Sequence, residues 1–171
     1  IGGFSKVQAQ GYETLIVRFD GNGMLDEHFG DSGRVNFAAA RDVLFLNCES
    51  NDFMLLGGVE IKRNEVGENM YVTTISYYIS KYDYLGNPDE NFGDRGKAYL
   101  PGGLNPRAAK ILHDGSIAVA GAYNSLSDHE LGLCKLTSAG ELDTVFANDG
   151  IWHWNTMPVF DLSYEGFYGI W

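Results

Sequence analysis

The chain has 171 residues, of which 44% are hydrophobic and 13% aromatic, with 22 Gly and 4 Pro. This length and hydrophobic content exclude a disordered chain, and the mixture of aromatic residues and Gly favours short strands joined by tight turns over helices. The formal net charge of −11 argues against nucleic acid as a partner, and no run approaches the roughly 18 apolar residues of a direct membrane span.

Three segments of the chain resemble one another. Residues 18–34, 81–97 and 135–151 align without gaps, and we call them the first, second and third motif. The motif Phe residues are 92 − 29 = 63 and 146 − 92 = 54 positions apart, so the unit tolerates insertions, and such self-similarity predicts tandem repeats. The recurring positions are Leu25, Asp26, Phe29, Gly30 and Gly33, then Asp89, Phe92, Gly93 and Gly96, then Leu142, Asp143, Phe146 and Gly150.

The strand pattern is clearest in the third unit. Strands are predicted over 107–112, 117–123, 130–136 and 151–154, and Asp114-Gly115 is a strong hairpin signal between the first two. A segment rich in small residues precedes each motif, at 1–3, 55–58 and 119–122. We therefore expect an all-β fold of four-stranded antiparallel meanders, the blades of a β-propeller. The expected division is 1–37 as the second half of a blade, 38–100 and 101–155 as complete blades, and 156–171 as the first half of another.

The motif residues are predicted to be structural. Leu25 and Phe29 are expected to be buried, with the glycines relaxing a long turn between two strands. Asp26, Asp89 and Asp143 are expected to accept hydrogen bonds from backbone N–H groups and to face Arg18, Lys81 and Lys135. A calcium loop at Asp20 and Asp26 is the alternative, but the other motifs lack the matching oxygen ligands. We therefore predict no metal and no cofactor.

The run from Tyr82 to Gly96 reads Tyr-Asp-x-x-Gly-x-x-Asp-x-x-Phe-Gly-x-x-Gly and resembles the bacterial delta-60 repeat. The third motif departs from this pattern, since Leu136-Thr137 replaces the aromatic-Asp pair and Ala147 replaces Gly. The resemblance implies β-propeller repeats in large secreted or surface-attached bacterial proteins, with no catalytic role. The expected location is therefore extracellular or at the bacterial cell surface.

Catalytic chemistry has little support in the sequence. The histidines His28, His113, His129 and His153 occupy unrelated motif positions, and none is paired with a motif. Cys48 and Cys134 are also at non-equivalent positions and are expected to be buried apolar residues. We predict no catalytic residues and no enzyme activity, and a propeller-based hydrolase or lyase acting on polysaccharide is the alternative function.

Recognition is expected where the units differ, because repeat proteins carry binding chemistry on variable loops. The two insertions are 61–70 and 124–129. The expected partner is a protein or a glycan. An aromatic group near the C-terminus is interpreted as core rather than as a contact surface, and its members are Trp152, Trp154, Phe160, Tyr164, Phe167, Tyr168 and Trp171.

The two ends of the chain fall at nearly the same phase of the unit. The alignment places both Ile1 and Trp171 opposite Ala120. About three units are fewer than the roughly four to eight of a closed propeller. We therefore expect this chain to be part of a larger propeller, completed by further repeats of the same polypeptide or by a protein partner.

Overall fold

The computed structural model describes residues 2–7, 11–38, 42–49, 53–68, 70–124 and 129–154. These residues form strands and turns, with two short 3-10 turns at Pro101–Gly103 and Phe146–Asn148 and no α-helix in the described part. The strands are β1 (Gly2–Val7), β2 (Gly11–Val17), β3 (Arg34–Ala38), β4 (Asp42–Glu49), β5 (Phe53–Gly67), β6 (Met70–Asp83), β7 (Lys97–Tyr99), β8 (Leu104–Ile111), β9 (Ile117–Asn124), β10 (His129–Leu136) and β11 (Ile151–Trp154).

The strands form three antiparallel sheets, which confirms the all-β prediction. The first sheet is β1-β2-β3, the second is β4-β5-β6-β7 and the third is β8-β9-β10-β11. Within each sheet, every strand pairs with its neighbour along the chain. The sheets occupy 2–38, 42–99 and 104–154, and the range 1–37 therefore contains most of three strands.

The strand register relates the three sheets position by position. In each sheet a glycine pairs with the residue three positions before the basic residue that opens the motif. The pairs are Gly3 with Leu15, Gly58 with Tyr78 and Gly121 with Gly132. Gly3 therefore matches Gly121, so Ile1 corresponds to Val119, and the predicted match with Ala120 is wrong by one residue.

A β-bulge occurs at the same place in the second and third sheets. The register of β4 skips Leu44 opposite Gly58, and that of β8 skips Arg107 opposite Gly121. A bulge leaves one residue unpaired and bends the strand. Pro106, which has no backbone N–H, sits beside the second bulge, as expected for a proline inside a sheet.

The main core lies between the second and third sheets. Phe92 of the second motif and Leu136, which precedes the third motif turn, are both fully buried there. The remaining buried members are aliphatic or aromatic, apart from the thiol of Cys134. They are Leu55, Ile79, Ala98, Leu100, Leu104, Ala109, Ile117, Val119 and Tyr123.

Candidate functional site

The residue two positions after the basic residue of each motif accepts hydrogen bonds within its own turn, and it is Asp20, Asp83 or Thr137. Asp83 Oδ1 accepts hydrogen bonds from the backbone N–H groups of Leu85 (2.9 Å) and Asn87 (2.8 Å). Asp20 Oδ1 accepts the two matching bonds at 2.9 and 2.8 Å, and Thr137 Oγ1 accepts one at 3.2 Å. Partial burial acts to raise the pKa of Asp83, but a hydrogen bond from Asn87 Nδ2 to Asp83 Oδ2 (2.9 Å), together with these backbone bonds, outweighs it and lowers the pKa. The carboxylates therefore serve the turn.

Asp26, Asp89 and Asp143 make the hydrogen bonds and ion pairs that the sequence predicts. Each carboxylate accepts a bond from the backbone N–H two positions later, at 3.1, 3.2 and 3.2 Å in chain order. The N–H bond from His28 and the pairing with Arg18 lower the pKa of Asp26. The ion pairs are Arg18 Nε to Asp26 (2.8 Å), Lys81 Nζ to Asp89 (3.4 Å) and Lys135 Nζ to Asp143 (3.3 Å).

The described residues offer little for a metal ion. Among them, no group of three or more His, Cys, Asp or Glu side chains converges. The oxygen atoms considered for calcium, on Asp20 and Asp26, already accept backbone N–H bonds. Asp20 Oδ1 and Asp26 Oδ1 therefore each serve the turn.

The residue after the motif Phe adopts a left-handed backbone in all three motifs. Its φ is +58° at Gly30, +61° at Gly93 and +54° at Ala147. A non-glycine residue pays roughly 1–2 kcal/mol for this conformation. The third motif keeps the turn although it has lost the glycine that favours it.

This same residue connects neighbouring sheets. Gly30 N–H donates to the carbonyl of Leu85 and Gly93 N–H donates to the carbonyl of Ala139, both at 2.7 Å. Leu85 and Ala139 occupy matching turn positions in the following motif. Two sheet junctions therefore use the same hydrogen bond.

A glycine in the following turn lets the motif Phe approach. A Cβ built on Gly86 would lie 2.9 Å from the Phe29 ring, and one built on Gly140 would lie 3.0 Å from the Phe92 ring. Both distances are shorter than ordinary carbon contacts. Phe29 and Phe92 are therefore each buried by the next sheet, through a glycine of that sheet's turn.

The third motif has no such cover within the described part of the chain. Phe146 is half-buried, and among the described residues no backbone partner accepts the Ala147 N–H. Trp152 and Trp154 are exposed on β11 and pack edge to face, with ring centroids 6.3 Å apart. The interpretation of these two tryptophans as core is therefore wrong. The other predicted members of that aromatic group, Phe160, Tyr164, Phe167, Tyr168 and Trp171, lie outside the described residues.

The insertion at 61–70 is a hairpin rather than a loop. β5 and β6 extend well beyond β4 and β7 and stay paired up to Gly67 and Met70. We call residues 60–75 the long hairpin. All of its described side chains from 61 onward are exposed, including Val66, Val72 and Ile75. The second insertion, 124–129, has its central residues and its side chains outside the described set.

One face of the long hairpin combines apolar and cationic groups. Ile61 pairs with Ile75, and Arg63 pairs with Thr73 beside them. Residues opposite each other in antiparallel strands share a face. The guanidinium of Arg63 lies 4.1 Å from the ring centroid of Tyr71 on that face.

The base of the long hairpin is held by a polar cluster around Glu60. Its carboxylate pairs with Lys62 (3.0 Å) and Lys97 (3.5 Å) and accepts a hydrogen bond from Tyr99 Oη (3.1 Å). The Lys62 bond lowers the pKa of Glu60, and burial raises the pKa of Tyr78 beside it to about 12. These contacts tie β5 to β7, so the hairpin rises from a fixed base.

The described histidines and cysteine form no catalytic arrangement. His28 and His113 are exposed, and His153 is stacked on Tyr123 with ring centroids 4.4 Å apart. Cys134 is buried, which raises the pKa of its thiol to about 12. At that pKa the thiol is not a nucleophile near neutral pH. The side chains of His129 and Cys48 lie outside the described set.

A cleft of about 390 Å³ lies between the second and third motif turns. The polar residues that line it are Asn91, Asp94, Lys97, Tyr99 and Glu141, and Gly93 and Ala139 line it as well. Its walls are the two turns that the Gly93 hydrogen bond joins. The cleft is thus a feature of the sheet junction, and its lining has no nucleophile paired with a base.

The comparisons with known proteins gave no match. No protein-family model matches the chain, and neither a curated protein nor a solved structure is significantly similar to it. In the described part of the chain, no helix has the length and apolarity needed to cross a membrane.

Proposed function

We propose that this chain is a non-catalytic binding and scaffold module built from β-propeller blades, which recognises a protein partner with the long hairpin. The three sheets, their matching registers and their matching junctions support a propeller of stacked repeats. We propose further that it belongs to a larger secreted or cell-surface bacterial protein or assembly, as the resemblance to delta-60 repeats implies.

The long hairpin is the observation that carries the binding role. Four large apolar side chains of the hairpin are exposed to solvent, and they are Ile61, Tyr71, Val72 and Ile75. An isolated two-stranded hairpin is only marginally stable in water, so these exposed side chains do little for the stability of the fold. Aromatic and aliphatic side chains with an Arg are the composition enriched at protein interfaces. A protein surface with a matching apolar pocket is therefore the partner class that fits best.

A screen of the full chain against bacterial surface proteins and cell-surface polysaccharides tests this proposal. Ile75→Glu is expected to abolish binding to the protein partner, because it replaces an apolar side chain of the contact face with a charge. Tyr84→Glu is the matched control, since it adds the same charge at an exposed aromatic residue outside the hairpin. Binding that survives Ile75→Glu would overturn the role of the long hairpin.

A hydrolase and lyase panel on polysaccharide substrates tests the absence of catalysis. We expect no turnover above buffer. Robust turnover that persists through further purification would replace the binding module with the enzyme alternative. Capture of polysaccharide without turnover, and without any protein ligand, would replace the protein partner with a glycan.

A further inference from the structure

Residues at the end of the second sheet are buried, whereas the residues that match them at the end of the third sheet are exposed. Ala98 in β7 and Leu100 just after it are 2% and 8% exposed, because the third sheet covers them. The motif alignment matches them to Trp152 and Trp154, which are 42% and 57% exposed. We call Phe146, Ala147, Trp152 and Trp154 the tryptophan surface.

The opposite side of the molecule shows the complementary pattern. Leu136 is 1% exposed and lies in the core shared with the second sheet. Its match in the first motif is Phe19, which is 44% exposed. Both residues make the same isolated bridge, Phe19 with Leu25 and Leu136 with Leu142. We call Phe19 and the neighbouring turn residue Asn22 the Phe19 surface.

The hydrogen-bonding groups of the two surfaces are complementary as well. At the existing junctions the donors are Gly30 and Gly93, and Ala147 presents the matching N–H at φ +54°. The acceptors are Leu85 and Ala139, and the matching carbonyl belongs to Asn22. Among the described residues, neither Ala147 N–H nor Asn22 C=O has a backbone partner.

We propose that the tryptophan surface of one copy binds the Phe19 surface of a second copy of this chain, continuing the junction that already joins its own sheets. The Ala147 N–H would donate to the Asn22 carbonyl, and Phe19 would be buried against Trp152 and Trp154. Joined twice in this way, two copies would place the 2 × 3 = 6 sheets of their described residues in one ring, within the roughly four to eight of closed propellers. The interface is heterologous, since each copy contributes a different surface.

This inference rests on the repeat architecture proposed above but not on the long hairpin. Sedimentation of the full chain over a range of concentrations should give a particle of two chains. Phe19→Glu and Trp154→Glu should each weaken association at least about 30-fold, as expected for a central apolar contact. Ile75→Glu on the long hairpin should leave it unchanged, so the failures of the two proposals are distinguishable.

Mixing the variants provides the sharpest test. Phe19→Glu keeps a good tryptophan surface and Trp154→Glu keeps a good Phe19 surface, so an equimolar mixture should form a particle with one chain of each. If either variant has a changed denaturant midpoint, Phe19→Ser and Trp152→Glu replace the pair. A wild-type chain of single-chain mass at every concentration overturns the proposal. So does association that neither variant weakens, or a mixture of folded variants that stays monomeric.

Discussion

The second and third motif turns have nearly the same backbone and different surroundings. The residue after the Phe has φ +61° in one and +54° in the other, and both turns carry the same carboxylate hydrogen bond. Yet Phe92 is buried by the following sheet, whereas Phe146 is half-buried. The motif thus specifies the turn, and the neighbouring sheet decides whether its Phe is buried.

The largest test of this comparison is the truncation of the two phenylalanines. Phe92→Ala should lower the free energy of unfolding by about 3–5 kcal/mol, because it empties a packed site. Phe146→Ala should cost less than about 2 kcal/mol, since part of that ring is already in solvent. Denaturant unfolding of dilute protein measures both. Equal losses would show that the following sheet does not account for the burial of Phe92.

A second test compares two glycines at the same position of their motifs, five residues after the basic residue. Gly140 has φ +85° and a Cβ there would lie 2.8 Å from the nitrogen of Gly93, whereas Gly23 has φ +79° and nothing within 4 Å. Gly140→Ala should therefore cost about 2–4 kcal/mol, from backbone strain plus the clash. Gly23→Ala should cost about 1–2 kcal/mol from strain alone. Denaturant midpoints at low protein concentration measure the difference, and similar losses would contradict close packing at Gly140.

A smaller effect on stability is expected at the basic residue of the third motif. Lys135 pairs with two carboxylates, those of Asp143 (3.3 Å) and Asp114 (3.4 Å). Hydrogen bonds from Ser116, with Lys135 nearby, lower the pKa of Asp114 from 3.8 to about 2. A depressed pKa contributes stability that is present above 3.8 and lost as the pH falls towards about 2. Asp114→Asn should remove that part of the acid dependence.

Unfolding free energies from about pH 2 to pH 7 measure this effect in the wild type and the variant. The Asp114→Asn curve should be flatter between about pH 4 and about pH 2, where the unfolded wild-type chain binds a proton at Asp114 and the folded protein does not. Curves that fall in parallel would show that Asp114 has the same pKa in the folded and unfolded chain.

The smallest expected effect concerns a residue that no sheet covers. Ile75→Glu on the long hairpin should change the free energy of unfolding by no more than about 0.5 kcal/mol, as is usual for exposed positions. The denaturant midpoint again reports it. A loss as large as that of Phe92→Ala would mean that Ile75 packs against the body of the protein.

The sequence predicts the strands of the third sheet and the hydrogen bonds of the motif turns. The strands of the third sheet start and end within three residues of their predicted positions. Asp26, Asp89 and Asp143 make the predicted hydrogen bonds. An Asp side chain in a turn commonly accepts a bond from the backbone N–H two residues later. The all-β class followed from the same turn signals. The propeller itself stays a prediction.

The contacts between sheets were not readable in the same way. Gly30 and Leu85 are far apart in the chain, and no local pattern pairs them. The sequence of residues 61–67 predicts a loop, because it lacks the apolar alternation of a half-buried strand, and the structure shows both faces of this segment exposed. The better signal was the β-branched and aromatic run 71–79 on its second strand. Aromatic residues are usually buried, which predicts a core position for Trp152 and Trp154. Composition does not reveal whether a neighbouring sheet is present to cover them.

The order of strands has a consequence for how the protein folds. Every pairing in the described sheets joins strands that are adjacent along the chain, so each sheet can form without strands from distant parts of the chain. A chain emerging from the ribosome can complete each sheet before the next appears. Phe29 and Phe92 would then remain uncovered until the turns at Gly86 and Gly140 arrive. The interval before each arrival is when the nascent chain is most prone to aggregate.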